Sequence, residues 1–266
     1  MPSPNGLENG ELTDITPVPP LCRNCGKLLR QGICEDHGPV ASPVANWWKA
    51  ETPRHYVRGV DFLDELKFLT PAVAIQTMFD VGANTGQSTR AVLRHNPNAV
   101  IHAFEPVKST FDQFKENMAY AKAVKIYQLA LSDVSDQTVH IVADVHSVNN
   151  AISKAAETGE AVQTITGDDF CDRNGISIID YLKIDTEGHD LAALSGFRKM
   201  LDGGRVRFFE VEAGMHRGNR KHVYFEEFLA FTKTLKRNYS LFGLYDQVRE
   251  GGIGALRRSN PVFILS

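Results

Sequence analysis

Thr77-Met-Phe-Asp-Val-Gly-Ala-Asn-Thr-Gly86 carries an apolar run into Asp80 and then turns on glycine. Gln87-Ser-Thr-Arg-Ala-Val-Leu-Arg94, directly behind it, has the pattern of a helix start. Strand, glycine turn and helix N-terminus in that order make a ligand cradle. Glycine lets backbone N–H groups come close to a ligand, and the first helical turn presents donors with no partner inside the helix. The spacing is not the Gly-x-Gly-x-x-Gly of dinucleotide enzymes, which speaks against a nicotinamide dehydrogenase.

Downstream of this turn, strand and helix signals alternate. Strand signals fall at Thr77–Val81, Val100–Phe104, Val124–Ala130, Ile178–Ile184 and Val206–Val211. Between them, Ser109 reads as an N-cap ahead of Phe111, Phe114 and Met118, and Leu191, Leu194, Phe197 and Leu201 share one helical face. This alternation predicts a parallel sheet covered by helices on both faces. Thr138–Val142 alternates like an exposed strand opening a hairpin insertion, Ser147–Asn150 is a polar loop, and residues 151–161 read as either helix or loop. After the polar loop Gly214–Lys221, Phe225, Phe228, Leu229, Thr232 and Leu235 predict another helix, and Ser240–Leu244 and Val262–Leu265 two last strands.

Upstream, residues 1–20 read as a disordered leader without apolar periodicity. Residues 21–38 hold Cys22-x-x-Cys25 and Cys34-x-x-His37, and Gly26 and Gly38 follow the two knuckles. Four such ligands, with no open position, suit a structural tetrahedral Zn²⁺ rather than a catalytic one. A segment this small would need its metal to fold. Residues 39–70 read as a linker carrying Trp47 and Trp48, then a helix from Tyr56 to Leu69 that Pro71 ends. Residues 71–266 form the main domain.

The 266 residues, 42% hydrophobic and 23% charged, are those of an ordinary globular protein, and the net charge of -3 argues against a general nucleic-acid binder. No apolar run is long enough for a membrane span, and the N-terminus lacks the basic-then-apolar pattern of a signal peptide. A cytoplasmic protein is expected. Three of the four cysteines lie within residues 22–34, which favours metal over disulfides.

Ligands of open parallel sheets bind beyond the carboxyl ends of the strands. Asp80, Glu105, Asp133, Asp185 with Glu187, and Glu210 with Glu212 all fall there. Glu105 lies about twenty residues past a glycine turn, where a carboxylate can accept from both ribose hydroxyls. Leu131, Ser132 and Asp133 are placed to flank an adenine.

Taken as a set, Phe-Asp-Val-Gly-Ala-Asn-Thr-Gly (79–86), His-Ala-Phe-Glu-Pro (102–106), Ala-Leu-Ser-Asp (130–133), Tyr-Leu-Lys-Ile-Asp-Thr-Glu-Gly (181–188) and Phe-Phe-Glu-Val-Glu (208–212) resemble the FkbM family of methyltransferases. The resemblance covers roughly residues 75–265, leaving the Cys/His segment outside. It implies a class I, Rossmann-like α/β fold whose mostly parallel seven-stranded sheet ends in a reversed C-terminal hairpin. It also implies S-adenosyl-L-methionine as cofactor and a sugar, glycan or natural-product hydroxyl as acceptor. Asp80, Gly82, Asn84, Thr85, Gly86, Glu105, Leu131, Ser132, Asp133 and Asp185 are then the expected cofactor residues.

Methyl transfer needs acceptor oxygen, methyl and sulfur held in line, and a base for the hydroxyl proton. Glu187, then His216, then Asp185 are the ordered candidates. A divalent cation on Asp185, Glu187 and Glu212 is the other route to an activated hydroxyl. The basic loop 216–221 reads as a solvated turn, the alternative being contact with an anionic acceptor. The competing reading is a catalytically silent cofactor-binding protein that recruits a partner through its zinc tail.

Overall fold

The computed structural model describes residues 33–34, 38–39, 61–70, 73–142, 151–153, 159–219, 221–249 and 254–266. β1 (Ile33–Cys34) and β2 (Gly38–Pro39) pair antiparallel. Cys22, Cys25, His37, the leader and the Trp47–Trp48 linker lie outside the described residues, and so does Ser147–Asn150.

α1 (Phe62–Leu69) is capped by Asp61, whose Oδ1 accepts from Leu63 N and Asp64 N at 2.8 and 3.0 Å. The alternating units follow: β3 (Thr77–Val81), α2 (Gln87–His95), β4 (Val100–Phe104), α3 (Lys108–Asn117) and β5 (Val124–Tyr127). The chain then leaves the main sheet for β6 (Ala130–Leu131), β7 (Thr138–Val142), β8 (Ala151–Ser153) and β9 (Glu160–Ile165), which form a second, four-stranded sheet in the order β6-β9-β7-β8. It returns through α4 (Gly167–Asn174), β10 (Ile179–Ile184), α5 (Asp190–Ser195), α6 (Arg198–Asp202), β11 (Val206–Val211), β12 (Ala213–Gly214), α7 (Phe225–Thr232), β13 (Tyr239–Arg249) and β14 (Leu256–Leu265).

Among the described residues the main sheet has eight strands, one more than the expected seven, and runs β12-β14-β11-β10-β3-β4-β5, with β13 on β14. β5, β4, β3, β10 and β11 are parallel, and β14 is antiparallel to β11 and to β13. Neighbouring residues along the strands face opposite ways, and both faces are apolar. Met78, Tyr181, Phe208 and Val262 pack with Phe62 and Leu66 of α1 and Val92 of α2. Phe79, Leu182, Phe209 and Phe263 pack with Phe170 of α4, Leu194 of α5, Leu201 of α6 and Phe228 of α7. This double burial explains why the central strands read as continuous apolar runs rather than alternating ones. Among the described residues, no helix is long and apolar enough to cross a membrane.

Three local readings change. Residues 151–161 contribute strand, because β8 and β9 both pair with β7. Ser109 is the second residue of α3, not its cap. The α3 end is closed by carboxylates from other elements, with Lys108 N donating to Glu160 and Val107 N to Glu105 Oε1, each at 3.0 Å. The helical face from Leu191 to Leu201 is split between α5 and α6 at Gly196, where a Cβ would stand 2.1 Å from the Ser132 carbonyl oxygen.

Candidate functional site

The strand order reverses at β3, which has β4 on one side and β10 on the other. Crevices at such switch points, beyond the carboxyl ends of the strands, are where open α/β sheets hold ligands. A cavity of about 510 Å³ lies there. Its β4 side is lined by Gly82–Asn84, Glu105, Leu129–Leu131 and Ile141. Its β11 side is lined by Asp185–Glu187, Glu212, Lys221, His222, Arg257 and Arg258.

On the β4 side the backbone does most of the positioning. Gly82 N and Ala83 N both donate to the Phe104 carbonyl at 3.0 Å, clamping the turn onto β4. Gly82 has φ +78°, and a Cβ on it would stand 1.9 Å from the Asp185 carbonyl oxygen. Gly86, at φ +95°, would press a Cβ on Met118 and Phe114. Both glycines therefore make room for the protein's own neighbouring segments. Asn84, with φ 48°, donates its N–H to Glu105 Oε2 at 3.0 Å, opposite the bond from Val107 N to Oε1. Burial pushes the Glu105 carboxyl up to about 7, and these two N–H groups oppose the shift.

The other residues expected around a cofactor divide. Leu131 lines the cavity with Leu129 and Ala130. Asp80, Thr85, Gly86, Ser132 and Asp133 do not. Asp80 lies beneath the turn, 1% exposed, and accepts from the Thr89 hydroxyl at 2.7 Å. Thr85 N donates to Asn84 Oδ1 at 2.7 Å. Ser132 Oγ bonds Asp133 Oδ1 and lies 3.0 Å from His189 Nε2, fixing the chain behind Leu131.

On the β11 side the cavity wall is ionic. Lys183, a charge inside an apolar strand, reaches Asp185 Oδ2 at 2.8 Å. Burial works against both groups. It is the largest single influence on each, but their mutual attraction, joined by Glu210 and Asp80 acting on Lys183 and by Arg258 and His222 acting on Asp185, outweighs it and holds Asp185 below and Lys183 above their ordinary ranges. Glu187, at φ 55°, meets Lys221 Nζ at 2.6 Å, and burial raises its pKa against that pairing. Glu212 bonds the Arg258 guanidinium through Oε1 and lies 2.9 Å from His222 Nδ1 through Oε2. The His222 side chain is only 3% exposed. His222 also lines the cavity. Beneath these groups Asp190, fully buried, ties the wall together. It accepts from Gly188 N at 3.0 Å, from Thr186 Oγ1 at 3.2 Å and from Glu212 N at 3.4 Å.

His216 is not part of this wall. Its Nδ1 accepts from Gly218 N at 3.1 Å within the polar loop. Glu210, also at a strand end, is turned into the sheet, where the Tyr181 hydroxyl and Asn260 Nδ2 donate to it at 2.7 and 3.1 Å. His222, Arg257 and Arg258 went unnoticed in the sequence. The signal for His222 is weak: it ends the loop that starts just after Glu212, and Gly214 N bonds the Val223 carbonyl at 2.8 Å, bringing the loop ends together.

The cation set expected on Asp185, Glu187 and Glu212 differs from the donors that converge. One atom each from Glu187, Glu212 and His222 lie within 4.8 Å of one another, while Asp185 is taken by Lys183. Lys221 and Arg258 already neutralise the two glutamates, so the protein's own cations supply the charge a metal would.

A family model for the methyltransferase FkbM domain matches residues 80–241. The hexuronic acid methyltransferase AglP of Haloferax volcanii is 27% identical over 203 residues, covering 70% of this chain and 82% of AglP. The 2-O-methyltransferase NoeI of Sinorhizobium fredii is 23% identical over 152 residues, covering 51% of this chain and 62% of NoeI. Among solved structures, the methyltransferase domain of bacterial CtHen1-C covers 77% of this chain and 94% of its own at 16% identity, with a TM-score of 0.45.

Proposed function

The chain belongs to the FkbM methyltransferase family, and from that premise we propose that it uses S-adenosyl-L-methionine to methylate a hydroxyl of a sugar. The observation that carries this reading is one continuous cavity with a ribose-type carboxylate, Glu105, on one side and a carboxylate–imidazole group on the other. The names of the relatives, one acting on a hexuronic acid and one at a 2-O position, support a sugar acceptor.

The cofactor brings an electrophilic methyl group on a sulfonium. In this reading Glu105 accepts from the ribose hydroxyls with the lone pairs left after Asn84 and Val107. Leu129–Leu131 and Ile141 give the adenine an apolar slot, and the backbone at Gly82–Asn84 takes the amino-acid tail. Asp80, below the turn, adds negative charge near the tail's ammonium. Thr85, Gly86, Ser132 and Asp133 hold the shape of this wall.

In this reading His222 Nε2 would take the hydroxyl proton as the C–O bond forms and the methyl–sulfur bond breaks, the thioether S-adenosylhomocysteine leaving. Glu212, 2.9 Å from Nδ1, orients the ring. Glu187 and Asp185 border the acceptor and help position its hydroxyl. His216 has no part in the step. The zinc proposal for Cys22, Cys25, Cys34 and His37 rests on their spacing and is separate from this chemistry.

The test is transfer of a labelled methyl from the cofactor to a panel of glycans and monosaccharides. Label in an acceptor, with the linkage stable to mild base as an ether is, supports the proposal. Tight cofactor binding with no transfer to any acceptor supports the silent binding protein instead.

A further inference from the structure

Each carboxylate on the β11 side of the cavity has its own cation: Asp185 has Lys183, Glu187 has Lys221 and Glu212 has Arg258. Arg257 is left over. It lines the same cavity beside Arg258. Among the described residues its guanidinium has no hydrogen bond or ion pair, while its backbone is fixed. The Arg257 carbonyl accepts from Met215 N at 2.9 Å and from Asn219 Nδ2 at 3.2 Å, anchoring the start of β14 to the loop that ends in His222. Of the side chains that line this side of the cavity, four are cations (Lys183, Lys221, Arg257 and Arg258) and three are carboxylates (Asp185, Glu187 and Glu212). A guanidinium presents paired donors that match a carboxylate or phosphate, and a neutral sugar would leave that match unused.

We infer that the acceptor is an anionic sugar, bearing a carboxylate or a phosphate, and that Arg257 receives this group. The inference rests on the acceptor reading of the same cavity. Arg257 acts as a specificity residue: it touches a part of the substrate that does not react, so its loss weakens binding more than the chemical step.

The test is calorimetric binding to the full chain saturated with S-adenosylhomocysteine, using glucuronate, glucose 1-phosphate and glucose as probes. At least one charged sugar is expected to bind ten or more times tighter than glucose. Arg257→Ala should remove most of that preference while leaving glucose and cofactor affinity unchanged, and Arg257→Lys should retain part of it. Preference for glucuronate alone assigns a carboxylate, and preference for the phosphate alone a phosphorylated sugar. Equal affinity for all three probes, or a preference that survives Arg257→Ala, would overturn the inference. Labelled-methyl transfer run in parallel keeps the two readings apart. Arg257-dependent binding without transfer sinks the methyltransferase reading of the acceptor side and leaves the anion site standing.

Discussion

On its β4 side the cavity is walled by residues that follow their strands directly, Gly82–Asn84 after β3 and Glu105 after β4, and backbone N–H groups hold the one key carboxylate. On its β11 side the wall is gathered from residues 183 to 258 and held by ion pairs, Lys183 to Asp185, Lys221 to Glu187 and Arg258 to Glu212. The first construction suits a ligand that is always the same, since backbone geometry does not vary with side-chain identity. The second suits a ligand that differs between relatives, since each ion pair can be altered alone.

This contrast predicts that the two sides fail separately. The largest effect is expected for His222→Asn, which should lower kcat by at least about 100-fold, the usual weight of a lost general base. Cofactor affinity, measured by calorimetry, should stay within about twofold. A parallel collapse of cofactor binding would show that the two sides are not independent.

Next in size, Glu105→Gln should weaken the cofactor by about 10- to 100-fold, because a hydrogen bond to a charged group contributes about 1.5–3 kcal/mol. Turnover at saturating cofactor should be largely kept. Unchanged affinity would remove the ribose assignment from Glu105.

The smallest effect is in pH. Free Glu105 keeps its proton up to about 7 because it is buried. Ribose hydroxyls donate to the ionised form, so binding lowers this pKa and releases a proton below it. Cofactor affinity should therefore rise as pH increases toward neutrality and level off above it. The gain is up to about tenfold for each unit by which the pKa falls. Glu105→Gln should flatten the profile and His222→Asn should not. A profile that is flat in the unaltered protein would mean that Glu105 does not sense the cofactor.

The same contrast explains what could be read from the sequence. The β4 side was legible because its signals are local. A glycine at positive φ, a helix start and a carboxylate at the next strand end sit within a few residues of their own elements. Even there, Asp80 and Gly86 turned out to face the protein rather than the cavity, which spacing cannot distinguish. The β11 side was legible only at Asp185–Glu187, which also follow a strand directly. His222 and Arg257 reach the cavity because the polar loop closes on itself and because β14 inserts antiparallel beside β11. Both are long-range events with no local pattern. His216 looked the better histidine because it lies closer to the strand end, but its loop keeps it outside the cavity wall.

Asp190 bears on how such a site changes over generations. Its buried carboxylate spans Thr186, Gly188 and the start of the segment after β11. A substitution anywhere in that turn must satisfy three unrelated donors at once, and few can. Among the described residues the Arg257 guanidinium has no hydrogen bond or ion pair, and only its backbone is held, by Met215 N and the Asn219 side chain. Divergence toward a new acceptor would therefore accumulate first at position 257 and its neighbours on β14, with the 186–190 turn lagging behind as the slow-changing part of the wall.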